Sequence, residues 1–517
     1  MRDPEWESDT DFEAFLQNTV PDLPPEDIVA EVTPWKRSTN RALTGMALTT
    51  ITLNFWYLNY ILPAIGAVLL LLGFRALRRE NRWFGGCFVI SVLRAAYFFP
   101  SLILNTTILQ SAVYASAAGS VLTAANLLLV FAQLVCLWRG FLSVQEKAGF
   151  PPRAGGAAAL ILWYALMCLL ALVQYSGLLI AGFMLVGYVL ILRSLYRQSK
   201  ELDEAGYAIR TAPVKTTDRC VVISLAALLL VGIICGYLFG GSYPMEWSAR
   251  NPAEHSGVEE IKAHLADLGF PAYVLNDLSA EDIAACGGAL QVVVDVTDEP
   301  VNEGRAEITE YGSGINRHFV QDTVYDVKEL RVTGVGVQLP GERDRWIIFH
   351  HFLWTTDPGF YGTESIQLWP VYRDVSEGWR AAGDVTGRVL YDNSGETFVA
   401  DYYFLGPQTF TSDSIFWGSQ NSTDVFAAFS MSRSGSSHRG YVAYPVEAAQ
   451  EGYIISSWFN YTHQRSWMQY PAVTAMEKRM TSSLSWRDSK PFKTIQDALQ
   501  FYPTDEGAEL INPSVRS

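Results

Sequence analysis

Apolar and polar positions divide this chain into two unlike parts. From about residue 42 to 242 apolar residues run on with short polar breaks; from 245 to 517 they are interspersed with polar ones, as in a water-soluble domain. A spanning helix needs about 20 apolar residues at 1.5 Å each. The segments 84–104, 119–138, 157–174, 177–195 and 220–240 come close to that length or reach it. Only "QYSG" separates the third from the fourth, which leaves room for nothing but an antiparallel hairpin. The stretch 42–74 is harder to divide. It carries no charge, and it is too long for one span and short for two. Asn54, Asn59 and Pro63 cluster at its middle beside Trp56, Tyr57 and Tyr60, a composition suited to a turn at a membrane interface. It reads either as a hairpin of two short spans or as one span from residue 55 preceded by an interfacial helix. The bundle at 42–242 therefore has about six or seven helices.

The connectors alternate in charge. Arg75, Arg78, Arg79 and Arg82 follow the first stretch; Arg139, Lys147 and Arg153 form the next basic group, and Arg193, Arg197, Lys200, Arg210, Lys215 and Arg219 the third. The connectors at 105–118 and 174–177 carry no charge. Basic loops stay in the cytoplasm, so the segment 220–240 is expected to exit and residues 243–517 to form an extracytoplasmic domain of a plasma-membrane protein. Lys36, Arg37 and Arg41 place the acidic tail, residues 1–41, inside as well.

The outer part opens as helix. "VEEIKAHLADLGF" has apolar residues at helical spacing, and "SAEDIAACGG" begins with Ser279 as an N-cap and stops at Gly287. From "LQVVVDV" the period changes to two, through "LRVTGVGVQL", "RWIIFHHFLW", "GRVLYDN", "TFVADYYFLG", "GYVAYPV" and "GYIISSWFNY". The fold class expected is a membrane α-helical bundle followed by a soluble, mainly antiparallel β, sandwich-like domain with a short helical lead-in. Two helices are expected near the end, at 472–482 and in "KTIQDALQFY".

Composition narrows the function classes. A net charge of −15 and no basic face argue against a nucleic-acid partner. Five of the six cysteines lie in or beside apolar segments and there is no CxxC, so core thiols are expected rather than redox centres. No HExxH, GxSxG or HxH occurs, and His350 and His351, adjacent on a strand, point to opposite faces. The sequence thus offers no catalytic residue, metal ligand or cofactor site. Nine of the fifteen tryptophans lie in the outer domain; most are expected in its core, with Trp417 and Trp467, in turns, as candidate ligand-facing aromatics.

Two features concern the membrane part. Arg94, in "SVLRAAYFFP", stands inside an apolar span where an arginine costs about 2.5–3.5 kcal/mol on insertion scales. No Asp or Glu lies within a span to pair with it; Asn54, Asn59, Asn126, Gln133, Gln174, tyrosine hydroxyls and carbonyls freed near Pro100 are the available partners. It either snorkels to an interface or marks an anion or headgroup contact. Ser111, Ala115, Gly119 and Thr123 recur every fourth residue, a spacing that lets helix backbones approach.

The stretches "NYILPAIGAVLLLLGFRALRRENRWF" and "LGFPAYVLNDLSAEDIAAC" resemble segments of uncharacterised multi-pass membrane proteins of Gram-positive bacteria. The resemblance implies a bacterial plasma membrane and supplies no activity. The reading that follows is a non-enzymatic multi-pass protein displaying an outer β-rich domain that binds or senses a cell-envelope ligand. Its partners would be the bilayer, that ligand, and a cytoplasmic protein on the tail. The alternative is a transporter or channel component with an anion or lipid path at Arg94.

Overall fold

A computed structural model describes residues 34–50, 55–173, 177–210, 212, 215–311, 318–369, 378–414, 418–466, 469–481, 491–504 and 507–511. Most of the acidic tail, Asn54, Gln174, Trp417 and Trp467 lie outside the described residues. The chain forms two compact units. One comprises its residues up to Leu104 and from Ser111 to Ile234, the other Asn105–Gln110 and everything from Cys235 onward.

The first unit is helical: α1 (Pro34–Thr50), α2 (Leu58–Leu77), α3 (Arg82–Leu104), the short α4 (Gln110–Ala115), α5 (Ala117–Lys147), α6 (Gly155–Leu172), α7 (Leu178–Glu204) and α8 (Asp218–Gly240). Six of them, α2, α3 and α5 to α8, are long and apolar enough to cross a membrane. The uncharged stretch 42–74 is a hairpin of α1 on α2, with Phe55–Tyr57 turning into α2, and Pro63 sits inside α2 rather than at the bend. The two helices touch backbone to backbone. A Cβ on Gly45 would lie 2.7 Å from the Gly66 carbonyl, and one on Gly73 2.7 Å from the Ala42 nitrogen. Only glycine permits that approach.

The basic connectors meet at one end of the bundle. Glu80, between α2 and α3 and 4% exposed, accepts from Lys147 Nζ (2.8 Å), Tyr207 Oη (2.6 Å) and the Arg210 N–H (2.9 Å). Burial alone would raise its carboxyl, but these three hydrogen bonds outweigh it and hold the group below the usual carboxylate range. Asp218 accepts from Arg41 at 2.8 Å, and Trp35 is fully buried against Phe84, Phe141 and Tyr207.

The second unit is a sandwich behind a helical lead-in of α9 (Glu259–Asp267), α10 (Ala272–Asp277) and α11 (Ala280–Ala285). Ser279 caps α11 as its sequence implies, its Oγ accepting from the Asp282 N–H at 3.1 Å. One sheet has the strand order β1 (Ser248–Ala249), β10 (Glu396–Asp401), β9 (Thr386–Asn393), β13 (Ser436–Ala448), β6 (Arg345–Trp354), β5 (Leu330–Leu339), β2 (Gln291–Glu299), with β8 (Trp379–Ala381) also on β13. The other runs β11 (Phe404–Ser414), β12 (Gly418–Phe429), β7 (Glu364–Trp369), β14 (Ile455–Gln464), β15 (Phe492–Tyr502), β16 (Glu509–Leu510). All pairings are antiparallel, and β3 (Arg305–Tyr311) and β4 (His318–Val324) form a separate hairpin.

The first sheet is covered on both faces. Val332, Trp346, Ile348 and Phe352 pack against Ile366, Phe429, Phe459 and Leu499 of the second sheet. Val335, Ile347, Phe349 and Tyr441 pack under Leu265, Val274, Leu275 and Ile283 of the lead-in. That double burial is why "WIIFHHF" is buried at every position, and apolar at all but its two histidines, rather than alternating. Two expectations need correction. "TFVADYYFLG" is two strands, β10 and β11, in different sheets, joined at a corner where Tyr402 donates to the Tyr441 carbonyl (2.9 Å). "KTIQDALQFY" is strand β15, not a helix. Phe492, Ile495 and Leu499 are spaced by three and four as on a helix, yet β15 pairs with β14 from Gln464↔Phe492 to Ile455↔Phe501. The helix near 472–482 is present as α12 (Ala475–Thr481).

Candidate functional site

On α3, Cys87, Ser91 and Arg94 recur at helical spacing on the face turned to Gln133 of α5. Gln133, 2% exposed, is oriented at both ends of its amide. Its Oε1 accepts from Arg94 Nη1 at 2.6 Å, and its Nε2 donates to Ser91 Oγ at 2.9 Å. Ser91 Oγ donates in turn to the Cys87 carbonyl at 2.8 Å. A neutral amide thus links the mid-span cation to α5. Of the described partners open to Arg94 in the sequence, Gln133 is the one in hydrogen-bond contact; among the described residues no carboxylate touches Arg94, and its buried Nε has no acceptor. A void of about 250 Å³ adjoins this chain of hydrogen bonds, lined by Thr49, Ser91, Arg94, Tyr97, Asn126 and Gln133 among others.

The small-residue spacing is interrupted. Ser111 and Ala115 lie on α4, Gly119 and Thr123 on α5, because Ser116 breaks the helix and caps the next one by accepting from the Gly119 N–H at 3.1 Å. Gly119 is buried against Val113 and Tyr114, while Ser111, Ala115 and Thr123 are exposed.

In the sandwich, His350 and His351 face opposite ways, as adjacent strand residues must. His350 lies between the sheets, stacked on Phe459 with Nε2 2.6 Å from Ser457 Oγ, and burial pushes its imidazole down to about 3. His351 faces the lead-in, with Nε2 2.9 Å from Asp277. Asp277 also accepts from Arg439 Nε at 2.8 and 3.0 Å, and Arg439 reaches on to Asp392. His463 pairs with Glu364 at 2.8 Å, both nearly free of solvent contact. Each of these groups is held by another buried side chain, while His350 Nδ1, His351 Nδ1 and Glu364 Oε2 have no hydrogen-bond partner among the described residues. Among the described residues no group of three or more His, Cys, Asp or Glu side chains could hold a metal ion. Trp354 and Trp379 are in the core; Trp369 and Trp458 are half-buried, stacked with centroids 5.1 Å apart across β7 and β14.

Sequence reasoning missed an open cleft of about 490 Å³ on the same unit, bounded by Arg250, Asn251, His255, Lys262, Asn276 and Thr397 among others. His255 Nε2 lies 2.9 Å from the Leu278 carbonyl and 2.7 Å from Arg250 Nη2, and Nδ1 lies 2.9 Å from Lys262 Nζ, so the ring sits among one carbonyl and two cations. Burial first, then the adjacent cations Lys262 and Arg250, hold that ring below its usual value, and burial with Arg250 lowers Lys262. Glu254 balances part of this charge, donated to by Arg250 at 2.6 Å and also by Arg388. The residues lie on three separate stretches, and no spacing in the sequence brings them together. No family model, curated protein or solved structure matches the chain.

Proposed function

We propose that this multi-pass membrane protein holds its β-sandwich on the outer side of a plasma membrane, where the sandwich acts as a binding or sensing module rather than an enzyme. In this reading residues 42–242 are the anchor, with α1 counted as a seventh crossing beside the six long apolar helices, 243–517 the extracytoplasmic domain, and the tail 1–41 a cytoplasmic contact. The alternation of basic and neutral connectors supports that sidedness. The observation that carries the binding role is the cleft between Arg250, His255, Lys262 and Asn276: it is open, polar and rich in donors, while the buried acids and imidazoles nearby are engaged in structural pairs. Thermal unfolding of the full chain in detergent, with envelope glycans, peptides and common ions, tests it. A ligand at a hundred times its dissociation constant adds about 2.7 kcal/mol to the native state. The shift is expected to fall in Lys262→Ala and Asn276→Ala. The reading fails if no compound shifts the wild type, or if both variants respond as the wild type does.

A second reading, a transporter or channel component, rests on the void beside Arg94. Loss of transport by an Arg94 variant that folds normally would favour it over the first.

A further inference from the structure

Arg94 is placed where its charge has least support. At 1.5 Å per residue its Cα stands about 18 Å from the first residue of α3 and about 15 Å from the last. The acids of the spanning helices, Glu146, Glu201, Asp203, Glu204 and Asp218, all sit at helix ends. A guanidinium keeps its proton in proteins, so the cation cannot be relieved by neutralisation. Its one acceptor among the described residues is the neutral Gln133 amide, on Nη1; Nε is buried with no acceptor. The Nε edge of the fork is therefore left for something else. Beside it lies the void of about 250 Å³, with Asn126 and Tyr97 among its lining residues.

We infer that this void is a binding site for one oxyanion, a phosphate or carboxylate group held by the Nε–Nη2 edge of Arg94 with Asn126 as a further donor. The planar fork matches two oxygens of such a group and would be half used by a halide. Gln133 and Ser91 act as positioning residues, fixing the guanidinium from its other end. The site belongs to the helical unit and is independent of the cleft in the sandwich; it holds whether or not anything is transported.

The test uses the full chain in detergent, before and after delipidation, with inorganic phosphate as the soluble probe at constant ionic strength set by chloride. Thermal unfolding reads phosphate binding, and native mass spectrometry reads retained phospholipid. The wild type is expected either to keep a phospholipid that Arg94→Gln does not, which makes the group a lipid headgroup, or to be stabilised by phosphate once delipidated, which makes it a soluble anion. Arg94→Lys keeps the charge and loses the fork, so its affinity is expected to fall tenfold or more. Without ligand, Arg94→Gln is expected to unfold no lower than the wild type, because the cation it removes had only an amide for company. Neither phospholipid nor phosphate on the wild type would overturn the inference. So would an equal response in Arg94→Gln, or, should that variant not fold, an equal response in Arg94→Lys.

Discussion

Replacing Asp277 by Asn should weaken the hold of the helical lead-in on the sandwich. Asp277 ends α10, is 4% exposed, and contacts two strands of the first sheet: His351 on β6 at 2.9 Å and Arg439 on β13 at 2.8 and 3.0 Å. Its carbonyl accepts from Arg388 Nε on β9 at 3.0 Å, a contact the substitution leaves in place. Removing one member of a buried ion pair costs about 3–5 kcal/mol. Arg439 keeps its bidentate contact to Asp392 at 2.9 and 3.0 Å, so the low end, about 3 kcal/mol, applies. At roughly 2–4 °C per kcal/mol for a large domain, the melting temperature should fall by about 6–12 °C. The pH dependence carries a second check. Burial raises the Asp277 carboxyl, but His351 and Arg439 outweigh it, and the net shift is downward. A depressed acid contributes stability above its unfolded value, about 3.9, and loses it as pH falls through the folded value. The gap between wild type and Asp277→Asn should be full at neutral pH and shrink below about pH 4. Tryptophan-detected melting of the full chain measures both. A fall under about 2 °C, or a gap unchanged between neutral and acid pH, would refute the reasoning.

Other outcomes follow from single contacts. Gly66→Leu should lower the melting temperature sharply or abolish folding, since its Cβ would meet the Gly45 carbonyl at 2.7 Å, whereas Gly182→Ala, with nothing within 4 Å, should be silent; melting of both variants decides. His350, held down to about 3 by burial, binds its proton more readily unfolded, so between the unfolded value near 6.5 and about 3 it should cost stability as pH falls, at most about 1.4 kcal/mol per unit. His350→Phe should flatten that acid slope in a pH series of denaturant melts. Asp497 behaves oppositely: burial and then Asp295 raise its carboxyl to about 6, so the folded state favours the proton and stability is lost as pH rises from about 4 to about 6. Asp497→Asn should therefore stabilise the protein at pH 7 and leave it unchanged near pH 3, and equal effects at both would count against the pairing.

What the sequence made legible follows from how local each signal is. "LRVTGVGVQL" and "RWIIFHHFLW" coincide with β5 and β6 end to end, because β-branched and aromatic runs bounded by turn residues carry their own limits. The span positions were readable for a similar reason: about 20 apolar residues form a signal needing no partner. β15 was not readable as a strand, since its apolar spacing suits a helix and its partner β14 lies about thirty residues earlier. The corner at Tyr402 depends on two sheets facing one another, which no local window contains. Arg94 was conspicuous for its charge, yet nothing in the spacing selected Gln133, 39 residues on, from the other polar candidates. The cleft with Arg250, Lys262 and Thr397 is assembled by folding alone.

The central claim is the sidedness of the sandwich. Its most direct measurement is protease and tag accessibility of residues 243–517 in intact cells and in inverted membrane vesicles. The account expects a C-terminal tag to be reached from outside intact cells and protected in inverted vesicles, with the basic connector around Lys147 behaving the opposite way. A tag protected in intact cells and cleaved in inverted vesicles would contradict it.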